Sequence, residues 1–267
     1  MSTVAVSVLD ELASGRIRAA WPDSAAPDGW RVDHAAKKAI LGCFADRATR
    51  TWEVGPLNFR DRVGVPPKSI LGAADAAAAD AAGRPWRIVP GGTSIREGAH
   101  LEPGVVVMPP SFINIGAWIG EDAMVDSHVL VGSCAQIGAR VHLGAGVQIG
   151  GVLEPPGARP VIVEDDAFVG AGAILLDGIL VRGGAVVAAG VTLTGASTIY
   201  DTVRETVIRG TSEEPAMVPS GAVVIPGTRQ IGSGFGALLG LAQTIPLIVK
   251  YRDAGTDRRV ALEEALR

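Results

Sequence analysis

An aliphatic residue recurs at every sixth position through Ile95, Leu101, Val107, Ile113, Ile119, Val125, Val131, Ile137, Leu143 and Ile149, without a slip. After an interruption the same step resumes at Val163, Val169, Leu175, Val181, Val187, Leu193 and Ile199. Six is a multiple of the strand period of two and a poor fit to the helical period of 3.6. The repeated side chains therefore reach one interior only if each hexad is a short strand followed by a corner. The next residue is Gly at 120, 132, 138, 144, 150 and 170, where a backbone without Cβ allows a sharp bend or a close approach. Three hexads close a triangular coil, and coils stacked about 4.8 Å apart make a parallel β-helix of about five to six coils.

The composition agrees with such a fold and narrows the partners. Hydrophobic residues make up 48% of the chain but aromatics only 4%, so the core must be built from Val, Ile, Leu and Ala. A net charge of −4 with Lys and Arg scattered along the chain leaves no cationic footprint for nucleic acid. Cys43 and Cys134 are far apart, no CxxC pair is present, and the first residues lack a basic and then apolar leader pattern. The reading is a soluble cytoplasmic protein with free thiols. The apolar stretch 235–249 is too short for a bilayer and is broken by Gly236, Gly240, Gln243 and Pro246, so no membrane segment is expected.

The flanks divide the chain into three parts. Residues 1–85 read as a small helical N-terminal domain: Leu9, Leu12 and Ile17 lie near helical spacing, 35–44 suits a second helix, and AADAAAADAA at 73–82 a third. Residues 86–232 form the β-helix. Its one interruption, fourteen residues from Ile149 to Val163 around Glu154-Pro155-Pro156-Gly157, predicts an excursion loop near 151–161. Residues 233–267 make a C-terminal cap, with a strand over 244–252 and a helix over 257–267, closing an end that otherwise exposes strand edges.

Within the repeat, Asp126 holds the corner position that is glycine in the next two hexads, at Gly132 and Gly138. It suits a general base or an anchor for an amine, or else a turn-stabilising residue. His128 and His142 are further candidate bases. His34 and His100 supply no short-spaced ligand pair, so no metal site is expected. Glu154 and the pair Asp165 and Asp166 are carboxylate candidates, though the pair reads first as a solvated turn. Arg87 and Arg96, at the first coil, fit a substrate carboxylate or a cap on the prism.

The segments NIGAWIGEDAMVDSHVLVGSCAQIGARVHL (114–143) and IGGVLEP (149–155) resemble the tetrahydrodipicolinate N-succinyltransferases of lysine biosynthesis. LASGRIRAA, HAAKKAILGCF, IYDTVRETV and GAVVIPGTR match more loosely. The resemblance implies a left-handed β-helix, a homotrimer with active sites between neighbouring subunits, and no prosthetic group. It implies transfer of succinyl from succinyl-CoA to the amine of ring-opened tetrahydrodipicolinate. It further implies that Asp126 contacts that substrate and assists loss of the amine proton, that Arg87 contacts it too, and that Gly151, Ala171 and Ala189 lie along the CoA groove. Where many relatives carry Glu, this chain has Ile174 and Asp177, which weakens a two-carboxylate mechanism. Acetyl-CoA as donor, a different amine acceptor, or a non-catalytic scaffold are the competing readings. The adenosine phosphate falls to one of Arg182, Arg209, Arg229, Lys250 and Arg252.

Overall fold

The computed structural model describes residues 3–54, 57–70, 73–253 and 255, and most of them form a left-handed parallel β-helix. Every aliphatic of the hexad series is the second residue of a short strand or, at Ile199, of a four-residue one, and all seventeen side chains are buried. The strands stack into three flat faces. Face I is built at the levels of Ile88, Val107, Val125, Leu143, Val169, Val187 and Val224, face II at Ile95, Ile113, Val131, Ile149, Leu175 and Leu193, and face III at Leu101, Ile119, Ile137, Val163, Val181 and Val218. The chain runs I, II, III and back to I. The prism thus has six rungs on two faces and seven on the third, and its core is almost wholly Val, Ile, Leu and Ala.

The excursion lies where the fourteen-residue step predicts it, between Gln148–Ile149 and Ile162–Val163. A second one follows Ile199: a hairpin of Thr198–Asp201 with Thr206–Arg209 delays the next rung to Met217–Val218. The period of six ends at Ile199, so the pattern carries no sign that Val218 and Val224 rejoin the core. The strand Ala222–Gln230 then leaves the prism and pairs antiparallel with Ala242–Tyr251, close to the predicted 244–252. A short helix, Gly234–Leu238, forms the tip between them. The helix expected over 257–267 lies outside the described residues.

The N-terminal part is less helical than expected. Helices α1 (Thr3–Ala13), α2 (His34–Cys43) and α3 (Ala74–Ala81) are present. Two hairpins interleave with them, Ala20–Pro22 with Trp30–Val32 and Thr49–Val54 with Leu57–Arg62. Ile17 lies beyond α1, because Gly15 takes φ +73° and ends the helix in a left-handed turn. Asp33 caps α2 by accepting from the Ala36 amide at 2.9 Å.

Each element covers part of the prism. Leu9 and Leu12 of α1 and Ile40 and Cys43 of α2 bury Ile115 and Cys134 at the corner between faces II and III. Ala20 and Trp30 cover Ile162, Leu180 and Met217 on face III. Helix α3 is tied to the first coil by a buried ion pair. Lys68 Nζ lies 3.0 Å from Asp75 Oδ2, with both side chains at most 1% exposed, and it also donates to the Ala99 carbonyl at 3.1 Å. Glu97 Oε1 stands farther off, at 3.6 Å from Nζ, so removing either member of the close pair leaves a buried charge poorly compensated. Asp75→Asn and Lys68→Met should each lower unfolding free energy by about 3 kcal/mol, read from urea denaturation; a loss within experimental error would show that the pair does not hold the cap.

Candidate active site

Because strands pair in register, corner residues one coil apart stack into three edges. The edge from face I to face II carries Asp126-Ser127-His128, then Gly144-Ala145-Gly146, Gly170-Ala171-Gly172 and Ala188-Ala189-Gly190. Asp126 therefore stacks beneath Gly144, eighteen residues on, rather than beside Gly132 and Gly138, which belong to the other two edges. The third residue of each rung has positive φ: His128 62°, Gly146 71°, Gly172 67° and Gly190 71°. Its amide donates to the coil below, Gly146 to Ser127, Gly172 to Ala145 and Gly190 to Ala171, at 2.8–3.0 Å.

The middle amides have a different fate. Those of Ala145, Ala171 and Ala189 donate to no group among the described residues, and all three residues are exposed. They form a column of outward donors spaced by the coil separation of about 4.8 Å. One rung lower, the equivalent amide of Ser127 donates to Asp126 Oδ1 at 2.6 Å. The strip can form only if the residues beneath it are bare. A Cβ at Gly144 would lie 2.9 Å from the Ala171 nitrogen, and one at Gly170 2.5 Å from that of Ala189.

Asp126 is half-buried, and its position is set from below: Ser111 Oγ donates to its carbonyl at 2.8 Å and accepts from the Val129 amide at 3.1 Å. Its carboxylate has one oxygen on the Ser127 amide and the other without a donor among the described residues. Arg87 is exposed on face I two rungs below Met124, about 10 Å along the axis, and its guanidinium has no partner among the described residues. His128 is exposed on the Asp126 corner. His142 is buried on face I, its ring 5.0 Å from that of Phe168.

The other predicted residues lie elsewhere. Arg96 does not reach this edge. It sits at the corner from face II to face III, paired with Asp61 at 2.5 Å between the rings of Phe44 and Phe112. Gly151 is on that same II–III edge, a full face away from Ala171 and Ala189, packed on Ser133 of the rung below. Asp165 and Asp166 occupy the third edge as turn residues: Asp165 accepts from the Ala139 amide at 2.9 Å, and Asp166 takes both Nε and Nη2 of Arg140. Glu154 and Asp177 line a separate depression of about 1050 Å³ between the excursion loop and residues 211–217. Ile174 faces outward on face II between Gln148 and Thr192. Of the cations suited to a phosphate, Arg182 is paired with Glu164, Lys250 with Asp253 and Arg229 with the Tyr200 hydroxyl, while Arg252 donates to the carbonyls of Asp166 and Gly184. Arg209 is exposed with no partner among the described residues.

The open amides and Ser111 escape sequence reasoning. A free backbone donor has no residue type of its own, but aligning whole coils instead of hexads brings the pairs 144–145, 170–171 and 188–189 into one column of Gly and Ala above Asp126.

The prism of stacked hexads places the chain among the hexapeptide-repeat transferases. The family described as "Bacterial transferase hexapeptide (six repeats)" matches residues 116–151, and "Hexapeptide repeat of succinyl-transferase" matches 160–195. Full-length relatives are more specific. The 2,3,4,5-tetrahydropyridine-2,6-dicarboxylate N-succinyltransferase of Idiomarina loihiensis is 40% identical over 97% of this chain and 87% of its own. Those of Bordetella parapertussis and Xylella fastidiosa (strain 9a5c) are 40% and 37% identical, over 97% of this chain and 87% and 86% of theirs. The chain belongs to the 2,3,4,5-tetrahydropyridine-2,6-dicarboxylate N-succinyltransferase family.

Both thiols are shielded from any chemistry at this edge. Cys134 is buried under α2, and desolvation pushes its thiol up to about 12; burial raises that of Cys43 as well. A thiolate is the reactive form, so at pH 8 neither cysteine should react with a disulfide reagent in the native protein, and both should react once it is unfolded in guanidinium. Rapid native reaction of either would contradict the burial described.

Proposed function

We infer that this enzyme transfers succinyl from succinyl-CoA to the amine of ring-opened tetrahydrodipicolinate, a step of lysine and diaminopimelate biosynthesis. The observation that carries the site assignment is the column of open amides at Ala145, Ala171 and Ala189, directly above the carboxylate of Asp126. The arm of CoA is a chain with two amide groups. Its carbonyls accept from such donors, the bare backbone lets it lie flat, and the thioester is delivered to the foot of the strip, at Asp126.

There the chemistry needs few groups. The amine attacks the thioester carbonyl, the C–N bond forms, the C–S bond breaks and CoA leaves as its thiol. The attacking nitrogen must shed a proton, and the uncommitted oxygen of Asp126 accepts it, while the Ser127 amide holds the other oxygen. Arg87, exposed on the same side, meets a carboxylate of the diacid by a charge-assisted, two-pronged contact. With Ile174 where many relatives carry Glu, one carboxylate serves.

The assembly follows from two features. Gly151, whose amide also donates to no described group, lies on a different edge from Ala171, so a groove that uses both runs between two copies. Face II also carries the exposed Leu130 beside partly exposed Phe112, with Ile174 two rungs further on, a surface suited to association. We propose a homotrimer with its sites between neighbouring subunits. Acyl-CoA is a cytoplasmic metabolite, so the reading carries a cytoplasmic location.

The test is thiol release by purified protein with tetrahydrodipicolinate, using succinyl-CoA and acetyl-CoA side by side. Acceptor-dependent release favouring succinyl-CoA is expected; release with acetyl-CoA alone would reassign the donor, and none with either would refute the reading. Asp126→Asn should lower kcat at least about a hundredfold with an unchanged melting temperature. Wild-type turnover by that variant would remove Asp126 from the mechanism.

A further inference from the structure

Helix α2 turns Ala36, Lys37, Ile40 and Cys43 toward the prism. Three of these suit a core; the fourth is a lysine with no exposed surface at all. Its ammonium meets no carboxylate among the described residues. It donates to the carbonyl of Ala158 at 2.5 Å and approaches that of Pro155 at 3.5 Å, both in the excursion loop. Desolvation lowers its pKa, the expected response of an ammonium answered only by carbonyl dipoles. A buried charge is kept only where geometry compensates it, and here its hydrogen-bond acceptors are loop carbonyls. If the loop moves away, the charge is stranded, so the lysine and the loop are placed together.

Neighbouring contacts reinforce the clamp. His34, one turn earlier on α2, lies against Gly157, where an added Cβ would stand 3.1 Å from its ring. Leu153 packs into the cluster formed by α1, α2 and the prism corner. At the loop's exit, Arg159 is buried and donates to Asp28 and to the carbonyls of Gly178, Pro215 and Ala216. Arg159 therefore fixes where the loop ends, whereas Lys37 fixes its middle, the stretch that leads back to Gly151 and its open amide.

We propose that Lys37 is a positioning residue: from helix α2 it holds the 150–161 excursion against the prism so that the Gly151 edge is set to receive the acyl donor. This rests on the reading of the donor groove above. The role predicts a particular kinetic signature, because loosening the loop weakens capture of the CoA thioester without touching Asp126, Arg87 or the amine. The effect falls on KM for the donor and spares kcat.

The experiment compares wild type with Lys37→Met, which keeps the unbranched shape and removes the charge, and Lys37→Gln, which keeps a donor for the carbonyls. Amide hydrogen exchange is followed by mass spectrometry, and steady-state kinetics are measured with succinyl-CoA and tetrahydrodipicolinate. In Lys37→Met, exchange in peptides covering 150–161 should accelerate about tenfold, with peptides from 112–143 unchanged. KM for succinyl-CoA should rise about tenfold, and kcat and the acceptor KM should stay within about twofold; Lys37→Gln should fall between. Unchanged loop exchange would overturn the clamp, and a loosened loop with an unmoved donor KM would overturn its link to the donor. If Lys37→Met does not fold, Lys37→Gln carries the same test. Should wild type fail to turn over either acyl-CoA, the functional reading fails while the exchange result still decides whether Lys37 holds the loop.

Discussion

The backbone ladder between successive coils is the constraint on which everything else in this protein depends. Each two-residue strand hydrogen-bonds to the strand one coil below and one coil above in register, so residue identity at one corner is repeated or varied along a straight edge about 4.8 Å at a time. The interior is thereby fixed to the strand aliphatic and, at most rungs, a buried Ala, Val or Ile two positions before it. What is left to vary is the corners, and the corners are where the three edges become different surfaces.

Each edge has its own use. The II–III edge is covered: α1, α2 and the excursion loop pack on Ile115 and Cys134, and Lys37 ties loop to helix. On the III–I edge, carboxylates close two of the middle amides, with Asp165 on Ala139 and Glu164 on Gly183, while those of Glu121 and Asp165 donate to no described group. The I–II edge is left bare, its Ala145, Ala171 and Ala189 amides facing outward and its only carboxylate at the foot. The same backbone geometry therefore yields a covered corner, a partly capped rim and a bare strip, according to which side chains stand at the corner. The inferred site lies on the edge where the amides of Ala145, Ala171 and Ala189 meet no side chain among the described residues.

Much of this is legible in the amino-acid sequence. A period of six that holds through seventeen positions leaves little choice but a stacked prism, and the fourteen-residue step at Ile149 locates the excursion to within about a residue or two. Asp126 stands out because a carboxylate breaks a glycine rule. Other features stay hidden for physical reasons. The Thr49–Val54 hairpin lies outside the repeat and has no periodic core to announce it. Arg96 suits a substrate carboxylate as well as Arg87 does, because a sequence does not reveal that Asp61 arrives from that hairpin to neutralise it. Gly151 and Ala171 read as one groove because both follow a corner glycine, yet one face of the prism separates them in a single chain. Lys37 is invisible: a lysine on a helix is ordinarily solvated, and only the loop carbonyls show why this one is not.

The reading rests on the bare I–II edge, rather than the III–I edge, lining the arm of CoA. The most direct measurement is calorimetric titration of CoA into wild type, Ala171→Trp on the open I–II edge and Ala139→Trp at a carboxylate-capped amide of the III–I edge, each checked for an unchanged melting temperature. The account predicts that Ala171→Trp weakens CoA binding by at least about thirtyfold, about 2 kcal/mol, while Ala139→Trp binds as wild type does. Equal affinity in all three proteins, or a loss confined to Ala139→Trp, would contradict it.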